Sequence, residues 1–168
     1  CALPILSLEL EKYGPFTVKT IEFRLGARLH LVHGHNEAGN SSALTAICDL
    51  LYGVPGDTPQ NFLHRNPDLR VGGAIEARDG RRLHFFRRKG NKGTIIDPKG
   101  FALPDDALVS FLGGVDRDIF RRAFGLDAGR LRSGAEELVA SHGEVGESLL
   151  AAAAGLRGLS DLRRALED

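Results

Sequence analysis

Leu29-His30-Leu31-Val32 runs almost directly into Gly34-His35-Asn36-Glu37-Ala38-Gly39-Asn40-Ser41-Ser42, and the next apolar residues, Leu44, Ile47, Cys48 and Leu51, fall at helical spacing. This order predicts a strand entering a tight glycine-bounded loop and a helix leaving it, with Gly53 and Pro55 closing the helix. Gly34 and Gly39 permit backbone angles that a Cβ forbids, so successive N–H groups can turn inward and form a concave nest for phosphate oxygens. The helix that follows brings its positive N-terminal end to the same point.

Each position in the loop then has a candidate task. The backbone of Gly34, Asn36, Glu37, Ala38 and Gly39 forms the cradle, Ser41 is placed to ligate Mg²⁺, and Ser42 can donate to a phosphate nearer the sugar. Where a lysine ordinarily reaches the β and γ phosphates, this chain carries Asn40, which donates a hydrogen bond but brings no charge. A hydrogen bond to a charged group is worth roughly 1.5–3 kcal/mol, and one preorganised contact to a transition state about 2.7–4 kcal/mol. The expectation is that nucleotide binding survives while turnover is crippled. A glycine-rich turn that binds nothing is the bland alternative; the second serine, the preceding strand pattern and the following helix argue against it.

Composition sets bounds. A chain of 168 residues is the size of one domain and can bury roughly 70% of its unfolded surface. Lys+Arg and Asp+Glu number 22 each, so the net charge argues neither for nor against nucleic acid. The distribution is uneven: residues 65–99 hold ten Lys/Arg against four Asp/Glu. Arg81, Arg82, Arg87, Arg88 and Lys89 are therefore candidates for DNA phosphates, with a charge-blunted hairpin edge as the equal alternative. Cys1 and Cys48 are too few for a disulfide framework, and six scattered histidines lack metal-ligand spacing. No apolar run approaches the ~20 residues of a membrane span. A cytoplasmic protein without membrane contact is expected. Methionine is absent even at position 1, which suggests a piece of a longer chain.

Alternation predicts strands over Leu6–Leu10, over Val18–Phe23 after the Tyr13-Gly14-Pro15 turn, and over Leu29–Val32. After an irregular stretch from Pro55 to Pro67, Leu69–Ala77 and Arg82–Arg88 flank Asp79-Gly80, a two-residue hairpin signal, and Thr94–Ile96 suggests one more strand. From Pro104 the pattern is helical: Ala107–Leu112, a segment capped by Asp116 that carries Ile119, Phe120 and Phe124, a capping box at Ser133–Glu136, then Val145–Ala154 and Ser160–Asp168. The expected fold class is α/β, with an antiparallel β meander and C-terminal helices.

Four ordered segments carry a likeness. Lys12-Tyr-Gly-Pro-Phe16, the Gly34–Ser42 loop, Thr58-Pro-Gln-Asn-Phe-Leu-His64 and Phe124-Gly-Leu-Asp-Ala-Gly-Arg-Leu131 together resemble the N-terminal ATPase-head segment of YhaN-type proteins. These are similar in turn to the SMC and recombination-repair coiled-coil ATPases. The resemblance implies that residues 1–168 are the N-terminal lobe of an ABC-type P-loop NTPase head, ending where a coiled-coil helix starts, with the C-terminal lobe absent. It implies ATP and Mg²⁺ as cofactors, the C-terminal lobe of the same chain as partner, head-to-head homodimers when ATP is bound, and a role in DNA repair or chromosome maintenance. It also implies base or ribose contacts from Lys12 and Tyr13, and makes Asp127 a weak candidate for the position of the glutamine-loop residue.

The rest of an ATPase site is not evident. A Walker B strand needs about four apolar residues ending in paired carboxylates, and Ile95-Ile96-Asp97 and Val115-Asp116 lack both the run and the pair. Hydrolysis by this chain alone is not expected. A degenerate scaffold head without ATP is one rival reading. A small self-contained phosphotransferase or GTPase is the other, and Asn91-Lys92-Gly93-Thr94 fails the guanine-reading pattern at its last position.

Overall fold

The computed structural model describes residues 4–27 and 29–123, all within one compact unit, Cys1–Gly125. Its elements in chain order are β1 (Ile5–Tyr13), β2 (Phe16–Glu22), α1 (Asn40–Tyr52), β3 (Arg70–Glu76), β4 (Arg82–Arg88), β5 (Ile95–Ile96), α2 (Val109–Leu112) and α3 (Arg117–Ala123). Short 3-10 turns occupy Pro59–Asn61 and Asn66–Asp68. The five strands form one antiparallel sheet in the order β2-β1-β3-β4-β5. The expected meander is β3-β4-β5, and β1 joins it beside β3. The helices expected from residue 126 onward, including the capping box and the coiled-coil onset, lie outside the described residues.

Register decides which face is core. Leu10 stands opposite Val71, and Val71 opposite Arg87; two pairs along, Leu8 faces Gly73 and Gly73 faces Phe85. Because side chains alternate across the pleat, Leu8, Leu10, Val71, Ile75 and Phe85 share one face, where they join the buried cluster with Ala43, Ala46, Leu50 and Leu51 of α1. The helix thus lies on the sheet through two small alanines and its last apolar turn. The buried stripe is rotated from the one expected from spacing: Cys48 and Leu51 are buried as anticipated, but Leu44 is exposed while Ala43, Ala46 and Leu50 face the sheet.

The expected strand Leu29–Val32 does not form. Leu29 and Leu31 are 83% and 86% exposed. A strand exists only by pairing its backbone, and the sheet closes its sequence of pairings at β2 and β5 without this segment.

Arg87 shares the core face and is 8% exposed. Its Nε and one terminal nitrogen donate to the carbonyls of Leu50 (3.2 Å) and Leu51 (3.0 Å), and the other terminal nitrogen to Thr94 Oγ1 (2.9 Å). These bonds satisfy carbonyls of α1's last turn, which a helix end leaves without intrahelical donors. Burial pushes the guanidinium pKa below its usual value. Replacing Arg87 by methionine keeps apolar bulk but strips the donors, and should lower stability by about 2–3 kcal/mol in urea unfolding. Arg82→Ala, which removes an exposed pair with Glu76, should stay within about 1 kcal/mol of wild type.

Candidate functional site

The loop leading into α1 is built from alternating backbone handedness. Ala38 N donates to the His35 carbonyl (3.0 Å), closing a turn. Glu37 (φ 65°) and Gly39 (φ 93°) are left-handed, the alternation that aims neighbouring amides into one hollow. Gly39 admits no side chain, since a Cβ there would lie 2.4 Å from Phe16 Cζ and 2.7 Å from Pro15 Cγ. At Gly34 a Cβ would lie 2.7 Å from that of Ala38. The two glycines therefore let the loop fold on itself and against the β1–β2 turn.

Helix α1 starts at Asn40 without a side-chain cap. Its first intrahelical pairing brings Ala43 N to the Gly39 carbonyl (2.9 Å). The amides of Asn40, Ser41 and Ser42 precede that pairing and point out of the helix end, where the positive end of the helix dipole also lies. They open into a cleft of about 730 Å³, a ligand-sized volume.

Of the residues singled out by sequence, the cleft brings together Gly34, Asn36, Glu37, Gly39, Asn40, Ser41 and Ser42. Asn40 Nδ2 donates to the Gly34 carbonyl over 3.4 Å, so this side chain links the two ends of the loop. Ala38, Lys12 and Tyr13 are not in the lining. Tyr13, expected to contact the base or ribose, is 0% exposed, and its hydroxyl donates to Asp49 Oδ2 at 2.6 Å. Asp127 lies outside the described residues. The lining also holds Pro15, His35 and Phe62. Phe62 sits in the Thr58–His64 segment, whose likeness was legible but whose place beside the loop was not.

Asp49 is the polar centre behind the loop. It is buried on α1, accepts from Tyr13 and pairs with the Arg117 guanidinium of α3, whose other terminal nitrogen donates to the Gly53 carbonyl (3.0 Å). Burial pushes the Asp49 carboxyl above its usual range, against the pull of Tyr13 and Arg117. Burial and the neighbouring Asp49 likewise raise the Tyr13 hydroxyl.

The five cations considered for DNA all have partners inside the molecule. Arg81 pairs with Asp79 and lies over the Phe111 ring, Arg82 pairs with Glu76, and Arg88 donates to the Gly93 carbonyl. Arg87 is buried as described, and Lys89 donates to the carbonyls of Pro55 (2.7 Å) and Gly56. Sequence counted their charge correctly but could not see that two of them tie down α1 and the chain just after it. No helix among the described residues is long and apolar enough to cross a membrane.

An uncapped helix end, a glycine-bounded nest and an open cleft define a P-loop type of nucleotide-binding domain. Comparison with known families gives the same class: the model of an AAA domain family matches residues 3–168. The chain belongs to that AAA-domain family. It is also similar to the uncharacterized protein YhaN of Bacillus subtilis (strain 168), at 28% identity over 154 residues, covering 89% of this chain. It spans 15% of that relative's length.

Asp49→Ala should cost about 3 kcal/mol, because it strands a guanidinium and a buried hydroxyl together. Tyr13→Phe, which leaves the Asp49–Arg117 pair in place, should cost about 1–2 kcal/mol. Urea unfolding of both variants checks the ordering; equal losses would show that the Tyr13 hydroxyl carries the whole effect.

Proposed function

We propose that this chain is the N-terminal, ATP-binding lobe of a split ABC-type head of the SMC-like kind, and that a second lobe of the intact protein completes it for hydrolysis. The observation that carries the reading is the convergence of the Asn40, Ser41 and Ser42 amides with the Gly34–Gly39 nest on one cleft. A triphosphate tail fits the N–H and O–H donors and the helix dipole that meet at the start of α1. Ser41 would hold Mg²⁺, which supplies charge neutralisation on the β and γ oxygens. Ser42 would bind a phosphate oxygen nearer the sugar.

The bare apolar residues Leu29, Leu31 and Val32, directly ahead of the loop, support a second lobe. An exposed apolar run with no strand pairing among the described residues suits a strand whose partner is supplied from elsewhere in the protein. The short share of its relative that the chain spans agrees with this. Closure of two heads over ATP belongs to the same proposal and rests on the likeness alone. The DNA-directed part of the likeness is not built on the hairpin cations, whose bonds are internal.

A second reading, a scaffold head that no longer turns over ATP, draws on one feature. Asn40 spends its amide on the Gly34 carbonyl and brings no charge to the cleft. Asn40→Lys separates the two. Titration with a labelled ATP analogue and Mg²⁺ should show binding tightened on the order of 10-fold or more, the worth of one charge-assisted hydrogen bond. In the intact protein the same substitution should raise turnover. Unchanged affinity and unchanged turnover would show that position 40 is not the lysine site.

A further inference from the structure

The segment Thr58–His64 forms a wall at one end of the cleft. Its backbone is fixed at several points. Gln60 N donates to Thr58 Oγ1 (3.2 Å), Gly14 N donates to the Gln60 carbonyl (2.9 Å), and His64 Nε2 is bonded to the Phe16 carbonyl (2.9 Å). Asn61 Nδ2 also reaches Asn66 Oδ1 (3.0 Å). Between these anchors stands Phe62, 61% exposed and part of the cleft lining.

The position of the wall along the loop follows from Gly14. A Cβ there would lie 2.7 Å from Gln60 Oε1 and 2.9 Å from Ser42 Oγ, so the wall, the β1–β2 turn and Ser42 meet at one point. Gln60 is 8% exposed and its Oε1 has no hydrogen-bond partner. The wall is thereby set close against the last residue of the loop. In a loop of this type the triphosphate has a fixed polarity: the earlier residues face the terminal phosphates and Ser42 faces the sugar end. Beyond Ser42 the bound molecule has only its sugar and base left to place, and Phe62, two residues after Gln60, is the aromatic side chain that the wall contributes to the cleft lining.

We infer that Phe62 is the stacking platform for the nucleobase of the bound nucleoside triphosphate. This rests on the reading of the loop as a triphosphate site. Exposing an aromatic ring to water on an anchored turn is unfavourable by itself, and covering its face with a base recovers that cost. Stacking tolerates any base, because every base has a π-face. Phe62 therefore gives affinity for nucleoside triphosphates over bare polyphosphate, without choosing strongly among bases. The base contact comes from this wall, in place of the buried Tyr13.

The test compares MgATP with magnesium tripolyphosphate, titrated calorimetrically into the full chain and into Phe62→Ala and Phe62→Tyr. Phe62→Ala should weaken MgATP binding on the order of 10-fold and leave tripolyphosphate affinity unchanged. Phe62→Tyr, which keeps the ring, should bind MgATP within about twofold of wild type. Equal weakening of both ligands, or no weakening of either, would overturn the stacking role while leaving the triphosphate site standing. Failure of the wild-type chain to bind either ligand would remove the triphosphate site and the platform with it.

Discussion

Helix α1 is held along its last turn by side chains from three other elements. Arg87 of β4 donates to the Leu50 and Leu51 carbonyls, Tyr13 of β1 donates to Asp49, and Arg117 of α3 bonds both Asp49 and the Gly53 carbonyl. With Ala43, Ala46 and Leu50 pressed on the sheet, these bonds leave the helix little freedom to slide or rotate. Its N-terminal amides consequently have a fixed place, and under the proposed function an anion site made of such fixed dipoles would need little reorganisation when charge arrives. The polar clamp at one end of the helix is what makes the other end usable.

The same economy governs the β1–β2 turn. Pro15 and Phe16 occupy the space that a Gly39 side chain would need, Gly14 abuts Ser42 and Gln60, and the Phe16 carbonyl receives His64. One hairpin tip thus braces both the glycine-bounded loop and the wall that carries Phe62. Both the loop and the wall have bonds of their own, and each also packs against that tip. The position that departs from the usual loop chemistry, Asn40, sits inside this braced frame and keeps the loop closed with an uncharged bond.

Much was legible beforehand because it depends on local physics. The loop glycines, the helix after them, the Asp79-Gly80 hairpin and the meander all follow from backbone preference and alternation over a few residues. The AAA-domain family was likewise within reach of the ordered motifs. What escaped were questions of facing and pairing. Leu29–Val32 has a strand's composition but no strand beside it among the described residues, and Leu44 has a core residue's chemistry but faces solvent. Arg87 reads as a surface cation, yet the register places it in the row of Leu10 and Val71, beneath the helix end.

By itself, then, the amino-acid order determined the local conformations: where the backbone turns left-handed, where a helix begins, and which residue types stand at an anion's reach. Those outcomes are set by neighbours within a turn or two. Tertiary structure alone decided that Tyr13 is buried against Asp49, that the hairpin cations serve α1 and their own loops, and that Phe62 lines the cleft. The Tyr13–Asp49 and Arg87–Leu51 bonds each join residues 36 positions apart, and no local preference can specify a contact whose other half is fixed only when the sheet closes.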